Sequence, residues 1–193
     1  MFADTFRFLI QTLADLFVLV LLLRFYLQVA RAPFKHPLCQ FVVAATNFIV
    51  IPMRRFVHSI RSYDVATLVA AWLVSFLANV LILALNPFPY RFALPENWII
   101  LGLLALLYLF KQSLNLLMGA VIVQAVMSWV NPYNPLSPIL DALTRPYLRY
   151  FNFARLAGVD LSPLILLLII QVILMLPVRM LEMTFLSQLK IAM

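Results

Sequence analysis

A set of polar side chains lies inside segments of this sequence that are otherwise apolar. Charged and amide side chains are costly within a bilayer, and they face the interior of a helix bundle. They are Gln11 and Asp15, Ser75 and Asn79, Lys111 and Asn115, and Gln171. The members of each pair are four residues apart, so they share one face of a helix. We expect these side chains to form a polar layer near the middle of the membrane.

Asp15 needs a partner at that depth. We expect it to pair with Lys111, with Asn79 or Asn115 as hydrogen-bond donors. Arg24 is nearer the end of its segment and is expected to snorkel toward the lipid head groups. Two uses of the layer are open. It can join helices through hydrogen bonds worth about 1 kcal/mol each, or it can form a path for an ion or a proton.

Four arginines lie in or directly after short amphipathic stretches between the apolar segments. They are Arg54 and Arg55 in the first half of the chain and Arg145 and Arg149 in the second. A guanidinium presents a planar fork that matches two phosphate oxygens. These side chains are therefore candidates for binding anionic lipid or an acidic partner. The other interpretation is that they only orient the protein, because Lys and Arg act alike in keeping loops cytoplasmic.

Motifs for catalysis, metal binding and cofactor binding are missing from the sequence. It has no glycine-rich phosphate loop, no zinc signature and no hydrolase elbow, and Cys39 is its single cysteine. Asp64 and Asp160 each precede an apolar segment, which predicts helix N-caps and not a pair of catalytic carboxylates. His36 and His58 have no thiol or carboxylate cluster nearby. We expect a protein without enzyme activity, cofactor, metal or nucleic-acid partner.

The composition is that of a membrane protein. Of the 193 residues, 65% are hydrophobic and 11% are charged, whereas a soluble domain is about half apolar and a quarter charged. A transmembrane helix needs about 20 apolar residues. We predict an all-α integral membrane protein with four transmembrane helices, at residues 5–30, 65–85, 98–130 and 163–183. The third segment is long, and the alternative is a break into two short helices near Lys111.

The basic residues predict the orientation. They are concentrated in two loops, at Arg31, Lys35, Arg54, Arg55 and Arg61, and at Arg145, Arg149 and Arg155. Basic loops stay in the cytoplasm, and four spans place both loops on one side. We therefore expect a bacterial inner-membrane protein with both termini in the periplasm.

Each basic loop also carries the apolar pattern of a short amphipathic helix. The apolar residues at helical spacing are Leu38, Phe41, Val42, Ala45 and Ile49, and then Leu136, Ile139, Leu140 and Leu143. Such helices lie in the membrane interface. Pro37 and Pro135 are expected in the first helical turns. Pro52 and Pro146 are expected to disrupt or end the helices.

The two halves of the chain repeat one another. Thr46 and Thr144 are 98 residues apart, as are Pro37 and Pro135. Repetition of this kind fixes the architecture before any single residue does. Each copy reads as a transmembrane helix, an interfacial helix and a second transmembrane helix. We predict two tandem domains, at residues 1–90 and 98–193.

Short motifs recur in the same order in both copies. The first carries Leu23-Arg24-Phe25-Tyr26, Pro37-Leu38 and Ile51-Pro52-Met53-Arg54-Arg55, and the second carries Met127-Ser128-Trp129-Val130, Pro135-Leu136, Pro146-Tyr147-Leu148-Arg149 and Gly158-Val159-Asp160-Leu161-Ser162-Pro163. Over essentially the whole chain these motifs resemble the YggT family of small bacterial membrane proteins. The chain departs from the family at Phe48 and Tyr150, where members tend to carry prolines beside the basic turn.

The resemblance implies a non-enzymatic membrane protein. Relatives are associated with cell-division gene neighbourhoods, plastid nucleoid and thylakoid organisation, assembly of a b-type cytochrome, and osmotic tolerance with potassium supply. We therefore expect a scaffold or assembly factor whose basic cytoplasmic face binds anionic lipid or a protein partner. Assembly of the chain into a homo-oligomer is left as an open alternative to a monomer. The alternative is a small potassium or proton transporter, or an oligomeric channel.

Overall fold

The described part of the chain is almost entirely helical. The computed structural model describes residues 2–57, 63–85, 94–131, 134–151, 155–156 and 159–189. The helices are α1 Phe2–Val29, α2 Pro37–Phe56, α3 Val65–Ala84, α4 Pro95–Val130, α5 Ser137–Leu148, α6 Ser162–Ile173 and α7 Arg179–Gln188. A 3-10 turn, Arg149–Phe151, follows α5, and a π-helical turn, Leu174–Val178, joins α6 to α7. Strands β1 Arg155–Leu156 and β2 Val159–Asp160 form one short antiparallel pair.

Several of these helices are candidates for crossing a membrane. Among the described residues, five helical segments are long and apolar enough, namely Asp4–Val29, Pro37–Phe56, Val65–Ala84, Pro95–Ser128 and Ser162–Gln188. The sequence predicts four of these as spans and assigns the other, α2, to the interface. By length and composition α2 qualifies with the rest. The structure therefore shows a multi-pass helical membrane protein.

The third apolar segment is a single helix. α4 runs without a break for 36 residues, which is about 54 Å at 1.5 Å per residue. Lys111, Gln112 and Ser113 do not interrupt it, because each side chain has a hydrogen-bond acceptor within reach. The acceptors are Glu182 for Lys111, Tyr108 for Gln112, and the carbonyl of Leu109 for Ser113. The prediction of one helix is confirmed, and the alternative with a break near Lys111 is wrong.

The prolines of α2 and α5 lie at the starts of these helices and inside them, and only some lie where the sequence predicts. Pro37 begins α2 as expected, but Pro138 and not Pro135 occupies the first turn of α5. Pro52 and Pro146 lie inside α2 and α5, so the expectation that they disrupt or end these helices is wrong. Both prolines are close to the C-terminal end of their helix. There each proline removes a hydrogen bond from the last turns only.

The end of α1 has a defined hydrogen-bonded cap. The amide of Ala32 donates to the carbonyl of Leu27 at 3.0 Å, and the amide of Arg31 donates to Gln28 at 3.1 Å. These two bonds form a Schellman motif, whose central position is usually glycine. Arg31 occupies it with a φ of 51°. A left-handed conformation costs an L-residue about 1–2 kcal/mol.

The core lies where α1, α3 and α4 meet, with α2 and α5 packed on it. α1 packs most extensively against α3. One apolar cluster joins α1 to α2, α3 and α4 through Val18, Leu21, Leu22, Val50, Ala71 and Leu109. A second joins the end of α1 to α2 and α5 through Leu27, Ala32, Cys39, Val42 and Ile139. Both α2 and α5 are thus held against the same end of α1, next to the basic side chains.

Candidate functional site

A chain of hydrogen bonds joins α1 to α4. The carboxylate of Asp15 accepts from the hydroxyl of Tyr108 and, at 2.6 Å, from Nε2 of Gln11. Nε2 of Gln112 donates to the Tyr108 hydroxyl oxygen at 2.8 Å. Nδ2 of Asn115 donates to Oε1 of Gln112 at 3.1 Å. Most of the predicted polar layer on these two helices is therefore brought together, and the bond between Tyr108 and Asp15 is the one that crosses from α4 to α1.

Lys111 has a different partner from the predicted one. Its Nζ lies 3.1 Å from Oε2 of Glu182 on α7. The prediction that it pairs with Asp15 is wrong. Glu182 offers Lys111 a full opposite charge, while Tyr108 and Gln11 supply the hydrogen bonds of Asp15. The π-helical turn before α7 sets the rotation of Glu182, and this rotation is not apparent from the sequence.

The other members of the predicted layer differ in their surroundings. Asn79 lines a cavity of about 130 Å³ with Gln11, Lys111 and Glu182. Gln171 lies apart from this group, on an exposed part of α6, with Nε2 at 3.4 Å from the sulfur of Met118. No group of three His, Cys, Asp or Glu side chains that could hold a metal ion occurs among the described residues.

An ion pair between a half-exposed arginine and a buried carboxylate joins the end of α2 to the start of α3. Nη2 of Arg54 lies 2.5 Å from Oδ2 of Asp64, and the hydroxyl of Thr67 donates to the same oxygen at 2.8 Å. Asp64 is 4% exposed. Burial raises the pKa of this carboxyl, but the hydrogen bonds from Arg54 and Thr67 and the charges of Arg54 and Arg24 outweigh burial and hold the pKa below 3.8.

Asp64 stands at the N-cap position of α3, as the sequence predicts, but its side chain makes no hydrogen bond to the helix backbone. Arg54 and Thr67 both bind Oδ2 of Asp64, and Oδ1 is buried without a hydrogen-bond partner among the described residues. In the second repeat, α6 begins after an N-cap at Leu161. The side chain of Asp160, predicted as the matching cap, lies outside the described residues, as do that of Arg155 and all of His58 and Arg61.

Arg24 is buried and does not snorkel toward head groups, contrary to expectation. It is 3% exposed. Its Nη1 donates to Oγ1 of Thr46 at 2.7 Å and to Oδ1 of Asn47 at 3.0 Å. Because α2 packs back along α1, these two polar side chains contact the guanidinium and solvent is excluded from it.

The second repeat contains a matching tether. Oγ1 of Thr144 donates to Oε1 of Gln124 at 2.5 Å, and Nε2 of Gln124 donates to Oδ1 of Asp141 at 2.5 Å. Thr144 and Thr46 are both fully buried. In each repeat, a threonine is thus hydrogen-bonded to a polar side chain of the preceding helix: α2 is joined to α1 in the first repeat, and α5 is joined to α4 in the second.

The basic side chains of the second repeat remain open. Arg145 and Arg149 are exposed. They line a cleft of about 730 Å³ together with Ala30, Pro138, Asp141, Ala142 and Pro146. Arg149 donates to the hydroxyl of Tyr150 at 3.0 Å, and its guanidinium carbon lies 5.0 Å from the centre of that ring. In the described part of the chain, neither arginine forms an ion pair with a carboxylate. Arg55, at the end of α2, is also exposed.

Three residues of these networks were missed from the sequence. Tyr108 and Gln112 are four residues apart on α4, which is a usable signal for a shared helix face. Glu182 is an acidic residue at the end of an apolar segment, where a charge calls for a partner. Neither signal predicts which residue of another helix is the hydrogen-bond or ion-pair partner.

These features define a helical, multi-pass membrane protein built from two similar halves. Residues 3–85 and 103–181 match the CCB3/YggT family in tandem, and the chain belongs to that family. It is 36% identical to the protein YggT of Escherichia coli strain K12 over 173 residues, which are 88% of this chain and 87% of that one.

Two further relatives are similar over the same extent. A protein from the proC 3′ region of Vibrio alginolyticus is 34% identical, over 87% of this chain and 90% of its own. A protein of Pseudomonas aeruginosa is 35% identical, over 89% of this chain and 87% of its own. No solved structure matches the chain.

Proposed function

We propose that this protein is a non-enzymatic scaffold or assembly factor of the bacterial inner membrane, whose basic cytoplasmic face binds anionic lipid or an acidic protein partner. The observation that carries the proposal is the open cleft beside Arg145 and Arg149. Two exposed guanidinium groups that form no ion pair within the described part of the chain are suited to phosphate or carboxylate oxygens.

The proposed topology has four spans, formed by α1, α3, α4 and the α6–α7 unit, with both termini in the periplasm. α5 has 12 residues and reaches about 18 Å, which is too short for a hydrocarbon core of about 30 Å. α2 is its counterpart in the repeat and is tethered through the equivalent threonine. This equivalence supports an interfacial position for α2, although its length would suffice for a span.

The pairing of the intramembrane charges supports a structural role for the polar layer. Asp15 accepts hydrogen bonds from Tyr108 and Gln11, and Lys111 is paired with Glu182. Paired groups of this kind hold helices together. They favour the scaffold over the alternative of an ion or proton transporter.

Growth under osmotic stress tests the role of the basic face. In a strain that lacks the endogenous gene, the triple variant Arg55→Lys, Arg145→Lys and Arg149→Lys keeps the positive charges that orient the protein. We expect it to grow less well than wild type at equal membrane abundance, because Lys lacks the planar fork of Arg. Arg179→Lys, an exposed arginine on α7, is the control and should rescue fully. Full rescue by the triple variant would reduce these arginines to topology signals.

A flux assay distinguishes the scaffold from the transporter. Purified protein in proteoliposomes should give potassium and proton flux no greater than protein-free liposomes. Flux above that background that is abolished by Lys111→Met would overturn the scaffold proposal.

A further inference from the structure

The two repeats present their basic ends in different states. In the first repeat, Arg54 is bound to Asp64 at 2.5 Å, and Asp64 is almost fully buried. An external anion would have to displace this internal carboxylate. In the second repeat, Arg145 and Arg149 have no such competitor among the described residues. Among the described residues, Arg54 of the first repeat is thus bound to an internal carboxylate, a closed version of the basic end, whereas Arg145 and Arg149 of the second form an open version.

The open version is arranged to hold a ligand. Arg145 near the end of α5 and Arg149 in the 3-10 turn that follows are four residues apart, and both line the cleft. The ring of Tyr150 fixes the guanidinium of Arg149 through stacking and a hydrogen bond from Nη2, and this restriction lowers the entropy lost on binding. Two adjacent guanidinium groups fit the oxygens of one phosphate.

Asp141 limits which anion the cleft can accept. It also lines the cleft, and its Oδ1 accepts from Gln124 at 2.5 Å. The two arginines and this carboxylate leave a net charge of about +1 in the cleft. A singly charged phosphodiester matches that charge. A hydroxyl beside the phosphate can donate to the carboxylate.

The position of the cleft points to a lipid. It adjoins Ala30, at the cytoplasmic end of α1 in the proposed topology. Tyr150, which stacks on Arg149 of the cleft, is 66% exposed, and exposed tyrosines are enriched at the membrane interface. The opposite face of α5 contributes Leu143 and Tyr147 to an apolar cavity of about 180 Å³ against α4. α5 therefore lies between a polar cleft and an apolar interior.

We infer that the α5 cleft binds the headgroup of one phosphatidylglycerol-type lipid. Arg145 and Arg149 hold the phosphodiester, and Asp141 accepts a hydrogen bond from a headgroup hydroxyl. In the described residues of the first repeat, Arg54 is instead bound to Asp64. This inference rests on the proposed function. It assigns the binding site of the basic face to the second repeat and its ligand to one class of lipid.

Native mass spectrometry of the detergent-purified full chain tests the inference. Phosphatidylglycerol is titrated against wild type and against Arg145→Gln with Arg149→Gln. The matched control is Lys35→Gln with Arg179→Gln, which removes two exposed positive charges that lie outside the cleft. We expect one lipid bound to wild type and to the control, and at least about tenfold weaker binding in the Arg145/Arg149 variant, which is about 1.4 kcal/mol. Phosphatidylcholine should bind more weakly than phosphatidylglycerol.

The other outcomes separate the two proposals. Equal weakening in both variants would mean diffuse attraction, which overturns the single site but leaves a basic lipid-binding face. Displacement of the lipid by inorganic phosphate would show that the cleft recognises the anion and not the lipid. Unchanged lipid binding in the Arg145/Arg149 variant, together with full osmotic rescue by the Lys triple variant, would overturn both proposals. Melting curves verify that each variant is folded.

Discussion

Arg24 on α1 donates a 2.7 Å hydrogen bond to Thr46 on α2, and this bond joins the two helices. The second repeat keeps the threonine and replaces the arginine with a neutral amide, since Thr144 donates to Gln124 at 2.5 Å. The threonine tether is thus present in both repeats, although its partner is a charged guanidinium in the first and a neutral amide in the second. The charged version lies near the ion pair of Arg54 and the buried Asp64. The neutral version lies near two arginines that are exposed, Arg145 and Arg149.

The threonine tethers should contribute similar stability in the two repeats. Thr46→Val and Thr144→Val each remove a buried hydroxyl and leave its partner unsatisfied, so each should lower the unfolding free energy by about 1–2 kcal/mol. Thr184→Val, where the hydroxyl bonds only to the carbonyl of Met180 in its own helix, should change it by less than about 0.5 kcal/mol. Unfolding in detergent measures all three variants. Equal small effects throughout would show that the tethers carry no stability.

Topology can be read from two accessible positions. In a Cys39→Ala background, cysteines are introduced at Lys35 and at Ser187, both of which are exposed. Four spans predict labelling of position 35 from the cytoplasm and of position 187 from the periplasm. If α2 also crosses the membrane, five spans place both positions on the same side. Labelling of both from the cytoplasm would therefore overturn the four-span arrangement.

Lys111 should couple energetically to Glu182 more than to Asp15. A double-mutant cycle of Lys111→Met and Glu182→Gln should give a coupling of about 1 kcal/mol, since the pair is partly exposed. The cycle of Lys111→Met and Asp15→Asn should give a smaller value. A larger coupling to Asp15 would contradict the pairing seen in the structure.

The ion pair of Arg54 and Asp64 should make stability depend on acid. The pKa of Asp64 in the folded protein is below 3.8, so its stabilising contribution is complete at neutral pH. The contribution is lost as the pH falls from about 3.8 through the lower, folded-state pKa, because the unfolded chain binds the proton first. Unfolding followed between pH 7 and pH 3 measures the loss. In Asp64→Asn the corresponding part of the pH dependence should vanish, and an unchanged profile would contradict this assignment.

Arg31 should be replaceable by glycine with a gain in stability. Its φ of 51° is strained for an L-residue, and glycine adopts this conformation freely. Arg31→Gly should raise the unfolding free energy by about 1 kcal/mol, whereas Arg31→Ala keeps the Cβ and should not. Thermal melting in detergent compares the two variants. Equal stability of both would show that the strain is relieved elsewhere.

Much of the architecture could be predicted from the sequence. The apolar segments at residues 65–85 and 98–130 correspond to α3 and α4, and the threonines at equal spacing correspond to matching tethers. Hydrophobic length and repeat spacing are local properties, and lipid as the solvent makes them decisive because backbone polar groups must be satisfied within each segment. The family membership follows from the same ordered motifs.

Only the tertiary structure decided which polar groups meet. Asp15 binds Tyr108, Lys111 binds Glu182, and Arg54 binds Asp64. Each pairing depends on how far one helix is rotated and shifted against another, and a periodic sequence allows several such arrangements. The π-helical turn before α7 and the packing of α2 on α1 and α3 determine which of these arrangements the chain adopts. The sequence alone therefore determines that this chain is a duplicated membrane protein with buried charges, while helix packing determines which charges are closed inside it and which remain open in the α5 cleft.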